Sequence, residues 1–529
     1  MNKLDGKVLK EALASAAANL SNKHAYIDTL NVFPVPDGDT GTNMSMTFEN
    51  GVKEALKVGD SLTDVTKALS RGLLMGARGN SGVITSQIFR GFHQYLDGKD
   101  AADVAEIAEA FLNGTKVAYK AIMKPVEGTI LTVIRESSEM ANEYVKANPG
   151  VSIEDYFHTL TEEAKLSLER TPELLPVLKE VGVVDSGGQG LVTIFEGFTA
   201  YLDGAPVTYS DVEEETSDEK KPETGYNAQI SMKLSEEGFE RFTESRLNRA
   251  LNGVGDMVEI HAQGYNVDFK VHTMKPGEVL NIGQRYGEFT KIQIENLQDL
   301  NKIEVDKNID KENVVLAVSA GSGMNKLFKD FGVDYIISGG QTMNPSTEDF
   351  VEVINRCNCK NVIILPNNSN IIMAAKQVQD VINNKHIYVL ETRSMQEGIA
   401  ALAVYDESAD INDNLENMKE CIGHILSASI TYAIKDTSFD GVEVKKNDYI
   451  AMFDKRIVCS DPDRLKTVYG LIDELKNHED YDLLTIYVGK DGSKKEAAAI
   501  ENYVSENTNF MVEIYYSKQP VYSYLFGLE

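Results

Sequence analysis

Apolar residues recur at three- and four-residue spacing from the start of the chain. Val8, Leu9, Ala12, Leu13, Ala16 and Leu20 predict an amphipathic helix. Leu62, Val65, Leu69 and Leu73 repeat the spacing within "SLTDVTKALSRGLL", where Ser61 stands three before Asp64 in a cap-like start. "SGVITSQIFRGFHQYL" and "SIEDYFHTLTEEAKLSL" continue it, so residues 1–203 read as an all-α domain. The pattern stops in "SDVEEETSDEKKPETGYN", which is charged, nearly free of large apolar residues and interrupted by Pro222; residues 204–224 read as an acidic linker. Between 225 and 308 short alternating runs, "AQISMKL", "MVEIHA", "VDFKVHT" and "FTKIQIE", predict a small α+β domain. From 311 to 529 short apolar runs such as "NVVLAVSAG", "DYIISGG", "NVIILPN" and "HIYVLET" alternate with helical segments, the pattern of an α/β sheet with buried strands.

The chain of 529 residues is too long for one hydrophobic core, in keeping with three domains. Its formal net charge of -30 argues against nucleic acid as a partner and against an anionic membrane surface. An acidic protein that handles nucleotides needs a local cation, for which magnesium is the usual choice. The four cysteines, Cys357, Cys359, Cys421 and Cys459, suit a reducing compartment; the "CNC" spacing does not fit a zinc knuckle and reads as core thiol. Lys7, Lys10 and Glu11 break the first apolar run, so it is not expected to be a signal peptide, and no segment reaches transmembrane length. The expected location is the cytoplasm.

The residues that suggest chemistry sit between the helices. In "LNVFPVPDGDTGTNMSM", Asp37 and Asp39 stand two apart around Gly38, directly before Thr40, Gly41, Thr42 and Asn43 open a helix. Two carboxylates beside a helix N-terminus combine a magnesium site with a phosphate site; a solvated Asp-Gly turn is the competing reading. "MGARGNSGVITSQ" places Gly79, Asn80, Ser81 and Gly82 at a second helix start, but lacks the Gly-Lys-Ser/Thr of a Walker loop. "KPVEGTILTVI" starts a helix at Thr129 after Gly128, and "VGVVDSGGQGLV" sets Asp185 before Ser186, Gly187 and Gly188. Joints falling on every second connection of an up-and-down bundle lie at one end of it, and such a ring outlines a nucleotide site.

These four motifs, in this order and spacing, resemble the nucleotide-binding domain of the dihydroxyacetone kinase family, and more closely the bacterial three-domain catalytic subunit of fatty acid kinase. The resemblance runs the whole chain, including "VHTMKPGEVL" and the ending "QPVYSYLFGLE". It implies an eight-helix bundle binding ATP with magnesium, with Asp37 and Asp39 as metal ligands and Gly79 to Gly82 as the phosphate loop. It also implies that Thr129 with Ile130, and Asp185 with Gly187, line the nucleotide. A third metal-binding Asp of the dihydroxyacetone kinase branch has only Asn31, offset by a residue, as its nearest counterpart here. The resemblance further implies transfer of phosphate to the carboxylate of a fatty acid held by a separate DegV-like carrier protein. The last domain would share the carrier's fold and dock it, and a homodimer is a possible assembly.

In that family the middle domain often carries Gly-Tyr-Cys and His-Val-His-Thr, a set suited to zinc. This chain has Asn227 and Lys270 at two of those positions and keeps His272, so zinc is not expected there. His272 is retained as a catalytic candidate beside the reading of a structural or surface histidine. Three functions remain: a fatty acid kinase, a kinase for another small substrate, and a nucleotide-binding scaffold that transfers nothing.

Overall fold

The computed structural model describes residues 1–31, 38–122, 124–210, 226–296, 310–340, 343–433, 436–439, 441–453, 456–478 and 480–529. Asp37 lies outside the described residues. Two compact units emerge, one formed by 1–211 with 306–529 and the other by 212–305.

The first part of the larger unit is helical: α1 (Gly6–Leu30), α2 (Thr40–Leu56), α3 (Leu62–Gly76), α4 (Gly79–Leu96), α5 (Val104–Ala121), α6 (Ile130–Ala147), α7 (Ile153–Leu174), α8 (Pro176–Val181) and α9 (Ser186–Leu202). Eight of these are long, and α8 is a short helix that starts on Pro176 directly after α7 ends. Asp5 caps α1 by accepting from the Val8 N–H at 2.9 Å, and Asp103 with Glu106 forms a capping box on α5. Ser61 does occupy the cap position of α3, but its side chain makes no capping bond.

Leu9, Leu13, Ala16, Leu20 and Ile27 put one face of α1 into the core, as their spacing predicts. Phe111 sits at the centre of an aromatic cluster, with ring centroids 4.7 Å from Phe92, 5.6 Å from Phe195 and 6.1 Å from Phe157. It thereby joins α5 to α4, α9 and α7.

In the smaller unit, four antiparallel strands lie in the order Asp256–Gln263, Asn266–Thr273, Tyr226–Leu234, Gly287–Asn296. Ala228, Ile230 and Met232 alternate inward with Val267, Phe269 and Val271, and Leu247, Leu251 and Val279 from two helices cover that face.

Among the described residues the last part of the larger unit holds two large sheets and a small two-stranded one, Thr437–Phe439 with Val442–Val444. The first is parallel, ordered His386–Val389, Asn361–Leu365, Asn313–Ser319, Tyr335–Ser338. Residues Val314 to Val318 are all buried, which explains the unbroken apolar run. The second sheet has six strands, ordered Arg456–Asp461, Tyr449–Phe453, Leu426–Tyr432, Tyr524–Leu528, Leu483–Val488, Met511–Tyr515. Gln396, on the helix Met395–Ala403, docks on this second sheet by donating to the carbonyls of Ala428 and Phe526, each at 3.2 Å. Cys357 is buried and Cys359 half-buried, and all four cysteines are free thiols. Among the described residues no helix is long and apolar enough to cross a membrane.

Candidate functional site

The four Gly-rich joints open α2, α4, α6 and α9, and their residues line one cavity of about 750 Å³. Asp39, Thr40, Asn43, Asn80, Ser81, Thr129, Ile130, Asp185 and Gly187 all reach its wall. Asn31, the residue after α1, lines it too. The joints fall on alternate connections, so a ring of helix N-termini collects at one end of the bundle.

Each joint is built differently. Asp39 is the N-cap residue of α2 through its backbone, whose carbonyl accepts from the Asn43 N–H at 2.8 Å, while its side chain makes no capping bond. Capping of α2 falls instead to Asp28 in the last turns of α1, which accepts from Thr42 N–H at 3.0 Å and Thr42 Oγ1 at 2.7 Å. The Asp39 carboxylate is thus left for other partners. Gly41 does not line the cavity: a Cβ there would run into the His24 carbonyl of α1, so the glycine is what lets α1 and α2 approach.

Gly79 starts α4 at φ 59°, a left-handed conformation that favours glycine, and a Cβ there would lie 2.7 Å from Asn43 Nδ2. Gly82 packs against Thr47 of α2. Both glycines bring α4 against α2 rather than lining the cavity. Arg78, the N-cap of α4, makes no side-chain capping bond, so this helix start keeps backbone donors for an anion. Thr129 caps α6 and Asp185 caps α9, the latter accepting from the Gly188 N–H at 2.7 Å. Ser186 Oγ donates to Thr40 Oγ1 at 3.2 Å and joins the α9 start to the α2 start.

The remaining wall is apolar. Leu175, Pro176, Val177 and Leu178 at the α7–α8 joint face Leu30, Ile84 and Ile122, a surface suited to a flat heterocycle. Lys124 brings a positive charge to the wall. None of these is singled out as a site residue by the sequence: Leu30, Ile84 and Lys124 lie inside the four motifs without a role of their own, and the proline-interrupted apolar run at 174–178 is the one signal for Leu175 to Leu178. Asp28 carries no local signal.

Electrostatics set the carboxyls apart. Burial, with the Asp28 charge adding to it, pushes Asp39 up to about 6, against the pull of hydrogen bonds from Asn43 and Asn344. Burial also pushes Asp185 up to about 6, opposed by the backbone N–H groups of Gly188 and Ile130. A carboxyl raised on folding contributes stability below its unfolded value near 4 and loses it as pH rises through the folded value near 6. The ligand-free protein is therefore expected to lose this contribution to its thermal stability between about pH 4 and pH 6.5. Asp185→Asn, which still caps a helix, should flatten that decline. Paired melting curves of wild type and variant across this range check it; parallel declines would contradict the assignment.

His272 lies in the smaller unit. The strand register pairs it with Asn227 and pairs Lys270 with Gln229, so all four share the sheet face opposite the apolar core. Among the described residues no group of three or more His, Cys, Asp or Glu side chains is placed to hold a metal ion.

Comparison with known proteins follows the same division. Residues 34–200 match the DAK2 domain, 223–303 the middle domain of FakA-like fatty acid kinase proteins, and 314–529 the C-terminal domain of the same FakA-like proteins. An uncharacterised protein of Staphylococcus saprophyticus is 41% identical with both chains covered in full, and one of Staphylococcus epidermidis is 39% identical, also over both full lengths. The chain belongs to the FakA-like fatty acid kinase family, with a DAK2 domain. This membership supports a fatty acid kinase-like function. Among solved structures, a DegV family protein from Corynebacterium glutamicum is 13% identical with a TM-score of 0.31, covering 41% of this chain and 96% of its own. The dihydroxyacetone kinase of C. freundii is 19% identical with a TM-score of 0.28, covering 37% of this chain and 34% of its own.

The last part of the larger unit also reaches this cavity. Asn344 Nδ2 donates to Asp39 Oδ2 at 2.5 Å, Asn80 Nδ2 donates to Asn370 Oδ1 at 3.2 Å, and Ser369, Asn370 and Met373 line the cavity. Arg90 pairs with Asp380 at 2.7 Å, and Gln377 Nε2 donates to Ser86 Oγ at 3.0 Å further along the same contact. Ala77, Val83 and Ala374 form its small apolar centre.

Proposed function

We propose that the protein is an ATP- and magnesium-dependent kinase that phosphorylates the carboxylate of a fatty acid presented by a DegV-like carrier, giving an acyl phosphate. The observation that carries this reading is the convergence of four helix starts on one cavity with the Asp39 carboxylate at its wall. The donor set fits a hard cation: carboxylate and amide oxygens, with no thiol or imidazole among the described residues that line the cavity. Asp39 would hold magnesium, with Asp37 as the second carboxylate, and the ion would supply charge neutralisation to the phosphates.

The chain's own residues supply the rest. The α4 start offers the backbone N–H groups of Asn80 and Ser81, which line the cavity, to phosphate oxygens, and Thr40 and Ser81 offer hydroxyls. The apolar wall from Leu175 to Leu178 takes the base and excludes water. The fatty acid carboxylate is ionised at neutral pH and needs no general base, so the work of the site is to position the acceptor in line and to stabilise developing charge. Lys124, which lines the cavity, would face that charge. His272 is not required for a proton transfer in this scheme.

The test is incubation of the full chain with ATP, magnesium and a fatty-acid-loaded DegV-like carrier, with hydroxylamine trapping the product. A fatty acyl hydroxamate that requires carrier, magnesium and ATP together is the expected result. ATP binding without any hydroxamate would instead assign the chain as a nucleotide-binding scaffold or a kinase for another substrate, a reading in line with Asn227 and Lys270 replacing the cysteine and histidine of the family pattern.

A further inference from the structure

The polar link between the last part of the larger unit and the Asp39 carboxylate comes from a loop with no sequence motif. Asn344 follows the strand Tyr335–Ser338, and Asn370 follows the strand Asn361–Leu365. Both loops leave the carboxyl ends of parallel strands, the rim where open α/β sheets place their ligand contacts. Here that rim meets the bundle's ring of helix starts.

Asn344 is only 3% exposed. Its Nδ2 donates to Asp39 Oδ2 at 2.5 Å, a charge-assisted bond that fixes the carboxylate. Its backbone carbonyl accepts from Arg78 Nη1 at 2.7 Å, and Arg78 also lies 3.7 Å from Asp349, so the loop is held from both sides. The other end of the same amide, Oδ1, is buried and has no hydrogen-bond partner among the described residues. A buried amide oxygen left unpaired is costly, and this one belongs to the group that grips the proposed cation ligand. Neutral amide oxygens are ordinary donors to hard divalent cations.

We propose that Asn344 is part of the cation site: its Nδ2 orients the Asp39 carboxylate, and its Oδ1 is an oxygen donor to a divalent cation or to that cation's bound water. The proposal rests on the reading of this cavity as a magnesium-nucleotide site. It makes that site composite, completed by a loop 305 residues away in sequence. Cation binding and the seating of the last part of the larger unit on the bundle are then linked: each favours the other.

The experiment titrates the full chain with a fluorescent ATP analogue at increasing magnesium, and separately without metal, and counts bound manganese by electron paramagnetic resonance with the metal alone. For Asn344→Ala the expected result is a magnesium midpoint raised tenfold or more, weaker manganese binding and an unchanged metal-free nucleotide affinity. Asn344→Asp keeps an oxygen donor and is expected to restore manganese binding to at least the wild-type level. A purely structural role would weaken nucleotide binding equally with and without metal, and neither variant would differ from the other in manganese binding. That pattern, or an unchanged magnesium midpoint in Asn344→Ala, overturns the proposal while leaving the kinase reading intact. A wild-type chain that binds nucleotide without magnesium dependence overturns both.

Discussion

Asp39→Asn is expected to lower magnesium-dependent turnover by at least about 100-fold, the scale on which metal sites respond to loss of even an outer partner. The structure says why the loss should be one of chemistry and not of folding. The Asp39 side chain does not cap α2; Asp28 does, through Thr42. The backbone carbonyl of residue 39, which holds the first turn through Asn43, is untouched by the change. An asparagine at 39 still offers an oxygen to Asn344 Nδ2. Removing a charge that burial and Asp28 both disfavour should leave the metal-free variant as stable as wild type at pH 7, or more so. Turnover and a melting curve measured side by side test both halves. Wild-type turnover in a folded variant would remove Asp39 from the cation site.

Phe111→Ala is expected to destabilise the helical part by about 3–5 kcal/mol, the usual range for deleting a buried phenyl ring. Phe111 is 1% exposed and touches aromatic rings on three other helices. The rings around it cannot collapse into the void without moving α4, α7 and α9, two of which carry a site joint at their N-termini. A denaturant titration followed by far-ultraviolet circular dichroism should show an earlier loss of helical signal. Magnesium and nucleotide together should recover part of the loss, because a ligand that binds only the folded state stabilises it. A midpoint within experimental error of wild type would contradict the central place given to this ring.

The helical starts are readable because they depend on neighbours in the chain. Asp185 and Gly188, and Thr129 and Leu131, are each paired within one turn, so residue type and spacing announce them. The strands of the parallel sheet announce themselves likewise, since Val314 to Val318 are covered on both faces and have no polar alternation. The role of the glycines is less legible. Gly41, Gly79 and Gly82 stand in motifs that look built for a ligand, yet their missing side chains admit α1, Asn43 and Thr47. Close helix packing and ligand approach ask for the same residue, and the motif does not distinguish them.

Periodicity and helix-start chemistry are enough to establish a helical first part, a short-stranded middle and an α/β last part, and to name the polar residues that the helix starts bring to the cavity wall, but not Lys124, Ser369 or Asn370. Those signals are short-ranged: a residue's place on a helix face or at a helix start follows from partners three or four positions away. Convergence of four joints on one cavity requires the bundle to close, and the part played by Asn344 requires two segments 305 residues apart to meet. Asp28 belongs with these, because its bonds to Thr42 cross from one helix to the next. Such pairs leave no pattern in the chain, since any buried amide or carboxylate reads alike until packing assigns its partner.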